Sequence, residues 1–303
     1  MKGDRKEVDT SNSSQKNKYI AIKELHTIGY SISELCKYAK IARASYYKWL
    51  NRPETLRDKE NAIVLDEIIK VYLEVKGIYG YRRITLNINR RLNSQYNHKR
   101  IYRLMKSIKL SSVIRRKRKK YIQSTPQITA ENVLNREFTA ERPNEKWLTD
   151  VTEFKLTTGK KAYLSAILDL GDNSIISYVL GHSNNNILVF DTLDQAIATN
   201  PTAKPIFHSD RGFQYTNRTF KNKLDKFEAT QSMSRVSRCI DNGPMEGFWG
   251  TLKVEMYYLR KFDSYEELEV AIDEYIDFYN TKRLQKKLKG MTPIEYRSHT
   301  LAA

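Results

Sequence analysis

Three consecutive apolar segments between residues 144 and 183 constrain the fold of this chain more than any other feature of the sequence. They read NEKWLTDVTEFKL, KKAYLSAILDLGD and NSIISYVLGHS, and short turns that contain Gly or Asn separate them. Runs of this length that are rich in Val, Ile, Leu, Tyr and Trp predict β-strands, and their close spacing predicts an antiparallel meander. The middle of the chain is therefore predicted to form an antiparallel sheet.

Helices and short strands alternate after the meander. The segments NILVFDTLDQAIAT, NRTFKNKLDKFEA and GPMEGFWGTLKVE are predicted helices, and KPIFHSD and ATQSMS between them are predicted strands. Three antiparallel strands followed by helix, strand, helix, strand and helix is the element order of a ribonuclease-H-like α/β fold, a mixed five-stranded sheet with flanking helices. Element order alone leaves other α/β folds open.

The basic charge of the chain is confined to its first part. Residues 1–130 carry 30 Lys and Arg against 11 Asp and Glu, whereas residues 131–303 carry 23 against 24, so the net charge of +18 belongs to the first part. This polarity predicts a basic region that binds nucleic acid, ahead of a membrane surface or a ribosome, joined to a near-neutral globular domain. The sequence contains neither a run of about 20 apolar residues nor a signal-peptide core, which predicts a cytoplasmic protein.

Two all-α units precede the sheet, and the first follows a polar tail over residues 1–15 that is expected to be disordered. Residues 16–53 indicate three short helices with tight connections, as in a helix-turn-helix unit. The second helix begins at Ser31 with Glu34 three residues later, a predicted capping box. In the third helix, RASYYKWL, the predicted DNA contacts are Arg43, Ser45 and Lys48. A small packed bundle with a basic surface is the alternative, because the helix-turn-helix pattern is degenerate.

The second basic unit covers residues 57–122, and a polar linker over residues 123–143 follows it. It contains a long amphipathic helix (ENAIVLDEIIKVYLEV), a predicted turn (KGIYGYRRI) and the segment NHKRIYRLMKSIKL. Its tyrosines, Tyr79, Tyr81 and Tyr102, either pack beside phosphate-binding cations or belong to the core. The predicted DNA contacts of this unit are Arg82, Arg83, Lys99, Arg100 and Arg103, with Arg115, Arg116, Lys117 and Arg118 of its basic end.

Three acids from three predicted elements form a candidate metal site. Asp150 lies among apolar residues of the first strand, where an ionised carboxylate is costly unless it is paired or bound to metal. Asp210 ends the fourth strand, and pairing of the first strand with the fourth would bring the two together under the helix that carries Glu246. Three carboxylates suit Mg²⁺ or Mn²⁺. Two such ions roughly 3.5–4 Å apart could activate a water or a DNA 3′-hydroxyl for phosphodiester displacement.

A lysine on the same helix extends this candidate site. Lys253 lies seven residues after Glu246, which is about 20° short of two helical turns, so the two side chains share a face. Lys253 is therefore predicted to contact a DNA phosphate near the acids.

Nearby polar and aromatic residues have simpler interpretations. Glu153 should point away from Asp150, because strand residues three apart face opposite sides. Asp169 and Asp172 adjoin a turn, where acids are common. The two aromatic residues that follow the helical glutamate, Phe248 and Trp249, are interpreted as packing.

Four ordered motifs carry a specific resemblance to a known family. They are WLTDVTEF around Asp150, HSDRGFQY around Asp210, DNGPMEGFWGTLKVE around Glu246, and the terminal YNTKRLQKKLKGMTPIEY. With 35 residues between Asp210 and Glu246, they resemble the DDE transposases of the insertion-sequence-three family. These are second-reading-frame products, and they share their catalytic core with retroviral integrases. The resemblance covers nearly everything from about residue 18 onward.

Two positions depart from the family pattern. Ser237 and Arg238 stand where Gly-Asn is usual, and Gln285 stands where a His is common. Neither departure touches the three acids.

The resemblance implies a ribonuclease-H-like integrase core over residues 144–283, followed by a C-terminal tail over residues 284–303. It implies a metal-dependent DNA transposase that nicks transposon ends and joins them to target DNA, with the three acids as ligands of the metal. It also implies a homo-oligomer on paired ends, an upstream-frame fusion or partner protein, and a bacterial location at the nucleoid. A DNA-binding regulator without catalysis and a nuclease without joining are the alternatives.

Overall fold

The computed structural model describes residues 11–114, 137–234 and 242–302. Those ranges contain eleven α-helices and five β-strands. The chain divides into two compact units, residues 1–64 and residues 65–303, and the division falls within the fourth helix. Within the described ranges, no helix combines the length and the apolar composition that a membrane span requires.

The first unit contains the three short helices that the sequence predicts, α1 (Ser11–Thr27), α2 (Ile32–Tyr38) and α3 (Arg43–Leu50). Their buried core consists of Tyr19, Ile22, Cys36 and Tyr46, with Trp49 packed against it. The rings of Tyr19 and Trp49 stack with centroids 5.4 Å apart. This small aromatic core holds the three helices together.

Two local predictions for this unit are corrected. Helix α1 begins at Ser11, so residues 11–15 of the predicted polar tail belong to a helix. Ser31 does precede α2 as its N-cap, but its side chain makes no capping hydrogen bond, so the predicted capping box is absent. Residues 1–10 of the tail lie outside the described part of the chain.

The second unit opens with α4 (Leu56–Glu74), whose first residues belong to the first unit, followed by α5 (Tyr81–Arg91) and α6 (His98–Ser107). The predicted turn KGIYGYRRI is shorter than expected, because Gly80 is already the N-cap of α5. The tyrosines divide between the two predicted roles. Tyr79 is a core residue with 1% exposure, whereas Tyr102 is 49% exposed.

The sheet consists of β1 (Lys146–Lys155), β2 (Lys161–Asp169), β3 (Ile175–Gly181), β4 (Ile206–Ser209) and β5 (Thr230–Met233). Its strand order is β3-β2-β1-β4-β5. The first three strands are antiparallel, and β4 runs parallel to both β1 and β5. The predicted mixed five-stranded sheet is confirmed. The first strand pairs with the fourth, which is the condition under which Asp150 and Asp210 were expected to come together.

Helices cover both faces of the sheet. Neighbouring residues of β1 point to opposite sides, so Trp147 packs with α7 (Asn186–Thr199) and α8 (Arg218–Lys226), as in a pleated strand. Leu148 instead packs with α9 (Gly243–Glu255) and α10 (Tyr265–Thr281). The three layers of helix, sheet and helix give the ribonuclease-H-like architecture that the element order predicts.

The C-terminal segment is part of this core rather than a tail. After α10 the chain forms a 3₁₀ turn (Lys286–Leu288) and α11 (Pro293–Leu301), which begins with a capping box between Thr292 and Glu295. Arg297 of α11 donates from Nη1 to Asp172 Oδ2 at 2.8 Å and to Asp169 Oδ2 at 3.2 Å.

Those two acids are therefore more than ordinary turn residues. Asp169 and Asp172 are fully buried, and their side chains also accept hydrogen bonds from the backbone N–H groups of Asn144, Gly171 and Ser174. Burial of a charged pair of this kind requires a cation, which Arg297 supplies. The predicted turn is thus also the anchor for the last helix.

Candidate active site

Strand pairing brings the first two candidate ligands together. The parallel register of β1 and β4 pairs Trp147 with Phe207 and Leu148 with His208. Parallel strands advance equally with each residue, so the same register continued by two residues sets Asp150 opposite Asp210. Asp210 follows β4 directly and is exposed, whereas Asp150 lies within β1 and is only partly exposed. Both acids thus lie at the carboxyl end of β4.

Asp150 is held by two neutral donors. The Val151 backbone N–H donates to its Oδ1 at 2.8 Å, and the Trp249 indole N–H donates to its Oδ2 at 3.1 Å. Burial is the main cause that raises the pKa of Asp150 to about 6, and the negative charges of Asp210 and Glu246 raise it further. The two hydrogen bonds oppose this shift only in part. The three acids are therefore close enough to influence one another electrostatically.

A tight turn positions Asp210. The Gly212 backbone N–H donates to Asp210 Oδ1 at 2.8 Å. A Cβ atom at position 212 would lie 3.0 Å from that oxygen and 2.8 Å from Gln214 Oε1, so a side chain there would displace the Asp210 carboxylate or the Gln214 amide. The glycine of the HSDRGFQY motif is thereby explained by close approach of the backbone to the carboxylate.

Two contacts attach the third element, α9, to β1. Asn242, the buried N-cap of α9, donates from Nδ2 to the Thr149 backbone oxygen at 3.0 Å. Trp249, in the second turn of α9, reaches Asp150 as described above. Glu246 lies between these two attachment points in the first turn and is exposed. The helix is thus fixed beside Asp150 on both sides of Glu246.

Sequence reasoning missed the role of both attachment residues. Trp249 does pack, at 6% exposure, as predicted, but it also orients a candidate ligand. The sequence of an apolar helix face does not predict to which acceptor an indole N–H will donate. Asn242 carried a usable signal, because an Asn just before a Gly-Pro helix start is a favoured N-cap. Asp241, Ser237 and Arg238 lie outside the described residues.

The donor set suits a divalent cation. Across the described ranges, no three His, Cys, Asp or Glu side chains are grouped closely enough to hold a metal ion as they stand. The chemistry of the donors fits nevertheless, because the negative charges of Asp210 and Glu246 both act on Asp150, which is largely buried. Such an arrangement favours a hard cation with oxygen ligands. The residues therefore fit a divalent metal in chemistry, with some closure of their side chains required.

Lys253 lies seven residues after Glu246, and the helical repeat puts the two side chains on the same face of α9. Its Nζ lies 5.2 Å from the centroid of the Phe154 ring, a cation–π contact, and the side chain is partly exposed. The predicted contact of Lys253 with a DNA phosphate stays a prediction.

The predicted DNA-contact residues differ in their surroundings. Most are exposed on α3, α5 or α6, and their DNA contacts stay predictions: Arg43, Ser45, Lys48, Arg82, Lys99 and Arg103. Arg100, partly exposed, lies over the Tyr96 ring at 4.9 Å. The basic run Arg115–Arg118 lies outside the described residues.

Arg83 differs from this set because it takes part in a buried ion cluster. Its Nη1 donates to Glu255 Oε1 at 2.8 Å. Glu255 also accepts from Arg283 at 2.8 and 2.9 Å and from the Tyr275 hydroxyl at 2.9 Å. Burial opposes the charge of Glu255, but the two guanidinium groups outweigh it and hold its pKa below the usual range. The cluster joins α5 to α9, a connection that sequence reasoning did not reveal.

Comparisons with known sequence families cover most of the chain. Residues 140–239 and 246–301 match two families that are both described as integrase core domain. Residues 58–118 match a family described as an HTH-like domain. That match falls on the second basic unit, so the helix-turn-helix assignment of residues 16–53 stays a prediction.

Individual relatives agree with the family matches. The chain is 44% identical over 275 residues to the InsK protein of insertion sequence element IS150 from Escherichia coli K12, covering 89% of this chain and 95% of InsK. It is 44% identical over 205 residues to a transposase-like protein of Haemophilus influenzae, covering 68% and 94%. The transposase InsF of insertion sequence IS3A, also from Escherichia coli K12, is 27% identical over 290 residues, covering 94% and 100%.

Among solved structures, the chain is similar to the catalytic core domain of HTLV-2 integrase in complex with magnesium. The TM-score is 0.42 at 20% identity, over 52% of this chain and 97% of the integrase domain.

Proposed function

The chain belongs to the DDE transposases of the insertion-sequence-three family, and on that premise we propose that Asp150, Asp210 and Glu246 are its catalytic carboxylates. The observation that carries the proposal is the parallel pairing of β1 with β4, which sets Asp150 beside Asp210. The attachment of α9 through Asn242 and Trp249 then keeps Glu246 at the same site.

The three carboxylates are proposed to hold Mg²⁺ or Mn²⁺, as two ions. Such ions, when bound, polarise the phosphodiester and make a water or a DNA 3′-hydroxyl a better nucleophile. The acids offer the negative charge that this binding requires. Asp150 supplies a rigid ligand, since its two oxygens are oriented by the Val151 N–H and the Trp249 indole. Asp210 and Glu246, both exposed, face the DNA from the solvent side.

Cations elsewhere in the chain are proposed to bind the DNA itself. Lys253 places a phosphate next to the acids, and the HTH-like region over residues 58–118 binds the duplex. When Lys and Arg bind phosphates, counterions are released from the DNA. The affinity for DNA should therefore fall steeply as the salt concentration rises. A homo-oligomer on paired transposon ends, an upstream-frame partner and a location at the nucleoid complete the proposal.

Strand transfer of a labelled transposon-end duplex with magnesium tests the catalytic assignment. Glu246→Gln removes one proposed ligand and should reduce joining at least about 10³-fold, which corresponds to the loss of several kcal/mol of metal stabilisation. Glu153→Gln is the control, because Glu153 is an exposed acid of β1, the strand that carries Asp150, and it pairs with Lys161 instead. It should join DNA as the intact protein does.

Two outcomes would count against the proposal. Equal joining by the intact protein and Glu246→Gln would remove Glu246 from the catalytic set. Binding of the duplex without joining by the intact protein would favour the non-catalytic regulator.

A further inference from the structure

A cleft of about 1230 Å³ lies in the second compact unit, away from the three acids. One wall is formed by the first residues of α5 and α6, including Tyr81, Arg82 and His98. The other wall is the segment directly after α10, including Lys286 and Lys287. Neither lysine was identified from the sequence as a DNA contact.

The cleft is strongly cationic. Among its lining residues, all of which belong to the described ranges, Glu255 is the single acid. Arg83 and Arg283 both bind Glu255, so its charge is already neutralised inside the protein. Arg82, Lys286 and Lys287 are exposed and form no ion pair within the part of the chain that the structure describes. Their charge is available to an anion from outside.

Two helix N-termini add to this positive potential. Helices α5 and α6, with 11 and 10 residues, both begin at the cleft and carry no acidic residue in their first turns. Gly80, the N-cap of α5, has no side chain with which to cap the helix. The first backbone N–H groups of a helix carry partial positive charge and bind phosphate readily. At α6 the Asn97 side chain already accepts from the Lys99 backbone N–H at 2.9 Å. The start of α5 is therefore the one that reinforces the site defined by the three side-chain cations.

We propose that this cleft binds backbone phosphates of the transposon-end DNA at a distance from the reacting phosphodiester; this rests on the proposed function. Glu255, which lines the cleft, lies nine residues after Glu246 on α9. Nine residues correspond to about 14 Å along the helix and about half a turn around it. Phosphates bound here are therefore not those at the acids. The size of the cleft and its series of cations suit a strand of DNA better than a single small anion.

The test compares Lys286→Gln/Lys287→Gln with the intact protein. The dissociation constant of a labelled duplex that carries the terminal repeat is measured between 50 and 200 mM salt, with EDTA present. The slope of log affinity against log salt is negative, and each lost phosphate contact makes it shallower by about 0.9. The slope of the double variant should therefore be shallower by about 1.8. Over that fourfold salt range, the ratio of the two affinities should then change by roughly tenfold.

The control is Lys204→Gln/Lys226→Gln, which removes the same number of charges, although Lys204 also pairs with Glu228 at 2.6 Å. Lys204 precedes β4 and Lys226 ends α8 just before β5, so both lie at the opposite end of the parallel strands from Asp210. The control should keep the slope of the intact protein. A slope for Lys286→Gln/Lys287→Gln equal to that of the intact protein would overturn the proposal.

Failure of the cleft proposal and failure of the catalytic proposal give separate results. The salt slope is measured without metal and without joining, whereas Glu246→Gln is assayed for joining with magnesium. Circular dichroism of the double variant checks its fold, which substitution of two exposed lysines should not change.

Discussion

Two sets of acids in the second compact unit meet opposite surroundings. Asp169, Asp172 and Glu255 are buried and bind arginine guanidinium groups from distant parts of the chain. Asp150 is also largely buried, but its oxygens accept from a backbone amide and an indole, which are neutral. The acids with arginine partners join elements of the fold together. Within the described ranges, the hydrogen-bond donors to Asp150 carry no charge, which fits the proposed role of this acid as a metal ligand.

The electrostatic contrast is sharpest between Asp169 and Asp150. Burial is the main cause that raises the pKa of each to about 6, and acidic neighbours contribute in both cases. Arg297 opposes the shift at Asp169, whereas only neutral hydrogen bonds oppose it at Asp150. The two sites thus share the cost of burial and differ in whether an arginine of the described chain contacts the carboxylate.

The largest expected effect is on the arginine-bound set. Arg297→Met should destabilise the protein by about 3–5 kcal/mol, because it leaves Asp169 and Asp172 buried without their cation. Urea unfolding measures this free energy. Arg218→Met, which changes an exposed arginine of α8, should stay within about 0.5 kcal/mol of the intact protein. A loss below about 1 kcal/mol for Arg297→Met would show that the two sets do not differ as described.

Asp150→Asn should change how the stability of the metal-free protein depends on pH. The pKa of Asp150 rises from an ordinary value of 3.8 to about 6 on folding, so ionisation of this group costs stability. The cost is absent below about pH 4 and complete above about pH 6. The Asn amide accepts only one of the two hydrogen bonds at every pH, so the pH dependence is the informative quantity. Relative to the intact protein, the variant should gain about 2 kcal/mol of stability between pH 4 and pH 7.

Unfolding in EDTA at both pH values measures that difference. Glu153→Gln, on the same strand but exposed, serves as the control with little change at either pH. A stability difference between Asp150→Asn and the intact protein that stays constant from pH 4 to pH 7 would show that ionisation of Asp150 does not cost stability.

Trp249→Phe should give the smallest change in stability, about 1 kcal/mol, since it removes one hydrogen bond and keeps most of the packing. Strand transfer should fall roughly 10-fold or more, as expected when the partner of a metal ligand is lost. Phe248→Leu is the control for packing on the same helix, and it should lose stability while it retains strand transfer. Equal strand transfer by Trp249→Phe and Phe248→Leu would assign Trp249 to packing alone.

The parts of the structure that local patterns specify were predictable from the sequence. Runs rich in Val, Ile, Leu, Tyr and Trp predicted the three strands of the meander, and the placement of a charged Asp150 among apolar residues indicated its need for a partner. Pairing of β1 with β4 then followed from the fold class, and the register confirms it. The positions of Glu246 and Lys253 on one helix face required only the helical repeat.

Contacts between residues far apart in sequence were not predictable. Arg297 is 125 residues from Asp172 and Arg83 is 172 residues from Glu255, and no periodicity connects them. The Asp-containing turn therefore looked ordinary, and Arg83 looked like any basic surface residue. The C-terminal residues 284–303 looked like a tail for the same reason, since what fixes α11 is a distant carboxylate pair.

The central claim is that Asp150, Asp210 and Glu246 together hold the divalent cation of the transposase. Electron paramagnetic resonance of Mn²⁺ titrated into the protein bound to a transposon-end duplex measures that binding directly. Asp150→Asn and Glu246→Gln should each weaken Mn²⁺ binding at least about tenfold, because each removes a carboxylate ligand. Glu153→Gln should bind Mn²⁺ as the intact protein does, and unchanged Mn²⁺ binding in Asp150→Asn would contradict the account.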